Sequence, residues 1–361
     1  MRLYAFASDY SKFGYHRTGS SSQLAAEDWL FTGLQEAADK VRKFSFNYPH
    51  FEATSEIHLD GRLVSSMPLY YGAVGELKGC PKIETAIIDI GADEHAAYEK
   101  IQVLAKLAGI NGHDALVVAT RCLNDSLYAF NVTPILKNTL PVILIPGSEF
   151  EILSEQKLDL HYSAGIAQRS ANNIIASFGT GSSIPPIVIT TPMSGWFECA
   201  GERGTGLALA LDLAKQVSVI RPVELVLTSA HELAYLGGFE YVRSVQKPPA
   251  AVIHLGSSLA TYPSSIEAWS NVDTHAFEKL ARHLSVIDIG INKVPNSGKR
   301  SDWVGEAECW AHFNSPMLSI AGSHDAFHTP EDKIDLVTNE HELLKMRDVL
   351  SVLADSFTTT I

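Results

Sequence analysis

The sequence is short of the features that would staple it, carry it through a bilayer or bind it to a nucleic-acid backbone. Its four cysteines, Cys80, Cys122, Cys199 and Cys309, are widely spaced with no C-x-x-C. That excludes a zinc knuckle and a dithiol redox motif, and leaves buried reduced thiols as the expectation. No stretch approaches the roughly 20 apolar residues of a membrane span. The start, MRLYAFASDYSKFGYHRTGS, lacks the uninterrupted apolar core of a signal peptide, so a soluble, cytoplasmic protein with no membrane partner is expected. Basic residues are outnumbered, 28 Lys and Arg against 41 Asp and Glu for a net charge of −13, which argues against nucleic acid as a partner. Several catalytic and nucleotide motifs are missing too. There is no G-x-S-x-G, GERGTG and GTGSSI break the G-x-G-x-x-G spacing, and NSGKRS lacks the upstream glycine of a P-loop. H-E-x-x-H fails because Tyr235 stands where the second histidine would be.

What is present is a chain of 361 residues, 46% hydrophobic and 19% charged, with the composition of a folded globular protein. It is longer than one compact core usually grows, so two domains or one domain with an insertion are expected. In SSSQLAAEDWLFTGLQEAADKVRKF, Leu24, Trp29, Leu30, Leu34 and Val41 recur near helical period. Serines stand at the start and Lys40, Arg42 and Lys43 near the end, which predicts one amphipathic helix. Residues from about 48 to 160 read as short β-like runs with one or two helices, AAYEKIQVLAKLAG among them.

From about residue 165 the pattern changes to strands alternating with helices. PPIVITT, VELVLTS, AAVIHLG and SPMLSIAG read as strands. GTGLALALDLAKQV, ELAYLGGFEYVRSV, THAFEKLARHLSV and NEHELLKMRDVLSVLADSF read as helices. This alternation implies an α/β fold with a mostly parallel central sheet and helices on both faces. Ligands of such sheets bind beyond the carboxyl ends of the strands. Three segments then stand out: 192–206, His231 with Glu232, and 322–330. They carry Glu202, His231, Glu232, Asp325 and His328. Any one histidine reads as a surface or hydrogen-bonded residue. Together, carboxylates and imidazoles suit a divalent metal with one position left open for water. His324 and His328 are four apart, but Thr329-Pro330 disfavour a helix and make them loop residues.

The order of these motifs resembles the M28 family of metallopeptidases, the aminopeptidase group that includes glutaminyl cyclases, over nearly the whole chain. YHRTGSSSQLAAEDWLFTGLQEA is similar to the family's N-terminal segment, IPPIVITTPMSGWFECAGERGTGLALALDLA to its strand, metal loop and helix, and PVELVLTSAHELAYLGGFEYV to the strand bearing its paired glutamates. FHTPEDKIDLV is similar to its terminal histidine segment, and GINGHDALVVAT, LPVILIPGSEFEIL and RSANNIIASF resemble a protease-associated domain. The resemblance implies an M28-like domain over 1–47 and 165–361, zinc-aminopeptidase-like in fold, and a β-rich protease-associated-like insert over 48–164.

Residue by residue, Pro192 and Ser194 stand where the family has its first histidine and the aspartate two residues on. Glu202 takes the place of the bridging aspartate, His231 and Glu232 that of the paired glutamates, Gly256 that of the later aspartate, and His328 that of the last histidine. The ligands of one metal thus survive as Glu202, Glu232 and His328, and those of the other are lost. The expected cofactor is one divalent metal, zinc, or none, with His231 as the acid or base. Strand alternation puts His254 on the same face as Gly256. His254, His324, Asp325, Ser194 and Trp196 are candidates for supporting or substrate-contacting residues.

The expected function is a hydrolase or an acyl or aminoacyl transferase acting on a small amide or peptide-like substrate. The alternative is a catalytically inactive protein that binds a ligand or partner in the cleft, with Trp196, Phe197 and Trp303 lining an apolar pocket. A third reading is a metal-free proton relay through His231, His324, Asp325 and His328. Self-association into a homo-oligomer is left open.

Overall fold

A computed structural model describes residues 2–91, 93–153, 158–179, 184–286 and 288–358, so most of GTGSSI, residues 180–183, lies outside the described residues. The chain divides into two compact units. One comprises Met1–Phe46, Ala171–Phe327 and Asp332–Ile361; the other comprises Asn47–Ser170 and His328–Glu331.

The first unit is built on a twisted mixed sheet. Strand Ile187–Pro192 lies at its middle, paired in parallel with Val223–Thr228 on one side and Ala251–Leu255 on the other. Met317–His324 continues the parallel set beyond Ala251–Leu255. Ser264–Ser270 then pairs antiparallel, with Gly290–Lys293 parallel beside it. On the other flank Val223–Thr228 pairs antiparallel with Leu158–Phe178. Because Ile187–Pro192 is followed in the chain by a neighbour on one side and then by one on the other, the strand order reverses at this strand. The loop after Pro192 therefore opens at a topological switch point, where ligands of open α/β sheets bind.

The sheet is covered on both faces, as side-chain alternation requires. Leu225, Leu227, Ile189, Ile253 and Ile320 point to a core shared with helices Leu3–Ser11, Ser21–Ala37, Thr205–Val217, Thr274–Ser285 and Glu340–Thr358. The intervening Val226, Val188, Val252 and Met317 point to a second core with Tyr241, Val242, Trp303 and Trp310, supplied by helix Leu236–Ser244 and the segment around the 3-10 helix Gly305–Phe313.

Two helices differ from the sequence-based expectation. Helix Ser21–Ala37 starts as expected, with Ser20 Oγ accepting from the Gln23 N–H at 3.1 Å. It stops at Ala38, because Ala38 is extended and the next N–H, of Asp39, donates to Ser177 O at 3.0 Å. Lys40, Val41, Arg42 and Lys43 therefore open strand Lys40–Leu59 and do not close the helix. The helix expected from Glu232 begins only at Leu236, since Ala230, Ala234 and Tyr235 adopt left-handed backbone angles (φ 57°, 54° and 60°). The short helix Leu3–Ser11, which sequence periodicity did not reveal, buries Leu3, Ala7 and Tyr10.

The second unit holds a four-stranded sheet in the order Met67–Pro68, Val142–Pro146, Ala115–Arg121, Ile83–Asp89. Helix Glu94–Ile110 connects the parallel pair Ile83–Asp89 and Ala115–Arg121, capped by Asp93, which accepts from the Ala96 N–H. Its core gathers Ile57, Leu59, Val117, Ile143, Ile145 and Leu160.

All four cysteines are free; Cys199 and Cys309 are buried, while Cys122 is half-buried and Cys80 exposed, which corrects the expectation of four buried thiols. Among the described residues no helix is long and apolar enough to cross a membrane.

Candidate functional site

The site forms in the first unit from three loops and the N-terminal segment. After Pro192 the chain passes through Ser194, Trp196 and two left-handed residues, Phe197 and Cys199 (φ 56° and 46°), into a π-helical turn, Ala200–Gly204. Wide turns of this kind recur at functional sites because they aim side chains that a regular helix would not. Gly201 makes this turn possible. A Cβ there would meet Thr261 Cγ2 at 2.7 Å and Asp332 Oδ1 at 2.9 Å. Asp332 instead fastens the turn from outside, accepting from the N–H groups of Gly201 at 2.6 Å and Glu202 at 2.9 Å.

The turn places Glu202 beside its own neighbour. Arg203 Nη2 lies 2.5 Å from Glu202 Oε1, and both side chains are 1% exposed. Arg203 Nε donates to Ser194 O at 2.9 Å, which holds the guanidinium in place. The carboxylate expected to bind a metal is thus paired with a cation of the chain.

Glu232 is held differently. Its Oε1 accepts from the Thr18 N–H at 2.6 Å and its Oε2 from the Ser194 hydroxyl at 2.8 Å, with the side chain wholly buried. Burial pushes its pKa up, opposed by those two donors. Thr18 belongs to YHRTGS, and its hydroxyl also accepts from the Ala230 N–H at 2.8 Å. Ser194 Oγ accepts from the His231 N–H at 3.2 Å. The same serine therefore touches both the Arg203 turn and the His231-Glu232 turn.

His231 turns away from Glu232. Its Nδ1 is 2.7 Å from Glu306 Oε2, and its side chain is 11% exposed against 1% for Glu306. Burial raises the Glu306 pKa, opposed by the neighbouring Thr228 side chain and by the nearby His254 and Arg203. His254 shares this region, as the alternation of strand Ala251–Leu255 predicts. Its Nδ1 is 2.9 Å from Ser319 Oγ, its Nε2 has no hydrogen-bond partner, and burial lowers its pKa to about 4. At neutral pH it is an uncharged imidazole.

The remaining candidates have partners of their own. His324 ends strand Met317–His324 and does not sit in a loop. It faces Asp332 Oδ1 at 3.3 Å and Ser258 Oγ at 2.9 Å, while Asp325 is exposed, so the acid beside His324 is Asp332. Trp196 is buried and its carbonyl accepts from Cys199 Sγ at 2.5 Å. His328 lies in the second unit, 3.5 Å from Glu94 Oε1 and stacked at a tilt on Tyr128 with ring centroids 5.5 Å apart. Gly256 cannot accept the aspartate the resemblance would put there without a shift of its neighbours. A Cβ would stand 2.6 Å from Ala321 Cβ and 3.2 Å from His254 Cε1.

The donor set therefore does not fit a metal. Among the described residues, no group of three or more His, Cys, Asp or Glu side chains is placed to hold an ion. A zinc site needs deprotonated ligands whose lone pairs converge on one point. Here Glu202 is engaged by Arg203, and both Glu232 oxygens accept from protein donors. Sequence reasoning missed Arg203, Glu306 and Asp332. Arg203 adjoins Glu202 in GERGTG, so it could have been flagged as a buried counter-charge; no local signal marks Glu306 or Asp332.

No protein-family model matches the sequence, and no curated protein matches it. Solved structures do. The zinc aminopeptidase of Bacillus subtilis superposes with a TM-score of 0.74 at 16% identity, covering 98% of this chain and 93% of that one. A peptidase M28 precursor from Shewanella amazonensis SB2B gives 0.74 at 16% identity, covering 99% and 93%. An aminopeptidase from Aneurinibacillus sp. strain AM-1 gives 0.64 at 13% identity over 99% and 93%. At such identities the likeness speaks to architecture and not to reaction. The chain has the α/β fold of the M28-type zinc aminopeptidases.

Proposed function

We propose that this protein is a peptidase-like member of the M28 fold class that handles a small peptide-like or amide ligand without zinc, retaining the ligand instead of cleaving it with a metal-activated water. One observation carries the reading: Arg203 Nη2 lies 2.5 Å from Glu202 Oε1, with both groups buried. The carboxylate that would bridge metals already has a cation that cannot leave. Admitting zinc would require the guanidinium to be expelled into a dry interior, leaving its charge unpaired. The single-metal reading needs Glu202, Glu232 and His328 on one ion, and the saturation of Glu232 by Thr18 and Ser194 also weighs against it. Supporting the fold assignment, residues 48–164 are read as a protease-associated-like insert on their β-rich pattern.

Protein purified without chelator should carry zinc far below one equivalent and show no chelator-sensitive hydrolysis of aminoacyl p-nitroanilides. Near-stoichiometric zinc, lost in Glu232→Ala and His328→Ala, would overturn the proposal.

A second reading is favoured by one further observation. The His231–Glu306 pair at 2.7 Å combines a partly exposed imidazole with a buried carboxylate that fixes its tautomer. Such a pair is suited to proton transfer in a metal-free hydrolysis of the same ligand class. Turnover that survives exhaustive chelation and disappears in both His231→Ala and Glu306→Gln would establish it over retention alone.

A further inference from the structure

We infer that the first unit carries a second binding site, unconnected with the polar site, for an aliphatic carboxylate of about ten carbons. Helix Ser21–Ala37 does not close fully against the sheet. A cavity of about 330 Å³ remains under it, floored by Leu30, Leu34, Leu207, Leu225 and Leu227, all buried. Its rim is formed by Phe6 and Trp29, whose rings lie 4.9 Å apart, and by Gly33. Gly33 is exposed and a Cβ there would meet no heavy atom within 4 Å, so the helix leaves the mouth of the groove open at this point.

The groove opens to solvent at its rim, so its leucine floor is apolar surface that a ligand would remove from water. Its volume lies in the range of small-molecule sites. A dry cavity of about 150 Å³ takes one benzene ring, so one twice that size takes roughly ten to twelve carbons.

The head group follows from charge. Lys215 stands at the rim, exposed, and among the described residues its ammonium has no hydrogen bond or ion pair. The acid nearest along its helix, Asp212, accepts instead from Gln216 Nε2 at 2.7 Å. An apolar floor with one uncommitted cation at its mouth matches an alkyl chain ending in a carboxylate. It disfavours a cationic amphiphile, and a neutral one gains the apolar floor alone.

The test is calorimetric titration of the full chain with decanoate and with the uncharged 1-decanol. Wild type should bind decanoate saturably at one site below about 1 mM, a free energy of roughly 4 kcal/mol. Gly33→Leu projects a side chain into the groove mouth without removing a native contact, so it should weaken both ligands at least tenfold. Lys215→Gln should weaken decanoate about tenfold and leave decanol unchanged. The proposal is overturned if wild type shows no saturable decanoate binding or if Gly33→Leu binds it as wild type does. It is equally overturned if light scattering shows a dimer that Gly33→Leu dissociates, which would make the rim an interface between copies. Decanoate affinity unaltered in Lys215→Gln overturns the carboxylate assignment.

Discussion

Two turns of the first unit each bury a glutamate, and they do so by opposite means. In the turn Ala200–Gly204, Glu202 meets a full positive charge from the next residue in the chain. In the turn after strand Val223–Thr228, Glu232 meets neutral donors, among them the Thr18 N–H and the Ser194 hydroxyl, the first from 214 residues away. A buried carboxylate can be kept by a cation or by dipoles, and the two choices have different consequences. The first pairs Glu202 Oε1 with the Arg203 guanidinium. The second leaves Glu232 with a raised pKa and makes it dependent on the docking of YHRTGS against the sheet.

Breaking the ionic turn should produce the largest effect. Arg203→Met leaves the buried Glu202 carboxyl without its guanidinium and should cost about 3–5 kcal/mol of stability, read by urea denaturation. Adding Glu202→Leu to it should restore most of that loss, because a buried pair can be replaced by apolar groups far more cheaply than it can be halved. Equal destabilisation in the single and double variants would mean that packing of the arginine stem, and not charge pairing, holds the turn.

Acid sharpens the contrast around the second turn. His254 has a folded pKa of about 4 against an ordinary 6.5, because burial disfavours its charged form. Between those two values the unfolded chain binds a proton that the folded chain does not. Its contribution is therefore fully present above about pH 6.5 and is lost as pH falls toward 4, by about 3 kcal/mol in all. Glu232 and Glu306, raised by burial, act with the opposite sign: their contribution is present below their unfolded values and lost as pH rises through their folded ones. Comparing wild type with His254→Gln cancels the Glu232 contribution and reports His254 together with its coupling to Glu306. Wild type should lose more stability than the variant between pH 7 and 4.5; parallel denaturation midpoints would show that His254 does not titrate as a buried neutral group.

The residues of the two turns were legible in the sequence to different degrees, for reasons the structure makes plain. Strand and helix periodicity located Ile187–Pro192, Thr205–Val217 and Ala251–Leu255, and alternation put His254 on the face of Gly256. Those are properties of local repeat. Periodicity failed where the backbone leaves regular angles, at Ala230, Ala234 and Tyr235, and where a strand partner captures a helix end, as Ser177 does at Asp39. The partners of the site residues were the least legible. Glu306 reaches His231 across 75 residues and Asp332 fastens Gly201 across 131, and neither distance leaves a local pattern. Arg203 was adjacent to a named residue, yet only its burial and rotamer reveal that it meets the carboxylate.

Weakening the dipolar turn should cost less than breaking the ionic one. Glu232→Ala leaves the Thr18 N–H and the Ser194 hydroxyl buried without their acceptor and should cost about 1–3 kcal/mol. Glu232→Gln keeps an oxygen for Thr18 and should recover at least half of that. If the two variants are equally unstable in urea, the Thr18 hydrogen bond contributes nothing measurable.

Zinc should produce the smallest effect, none. A ligand that binds only the folded protein at a hundred times its Kd raises stability by about 2.7 kcal/mol, an increment that a melting curve resolves easily. With Glu202 committed to Arg203 and Glu232 to its two donors, added zinc should leave the melting temperature of wild type unchanged, as should chelation. Because Arg203→Met removes only the guanidinium while Glu232 stays engaged and a Cβ at Gly256 is blocked by Ala321, that variant should also fail to gain stability from zinc. A zinc-dependent rise in Arg203→Met alone would show that the arginine is the sole barrier and that the rest of the ligand set is intact. A rise in wild type would show that the guanidinium yields to the metal, and that the two turns differ less than their geometry suggests.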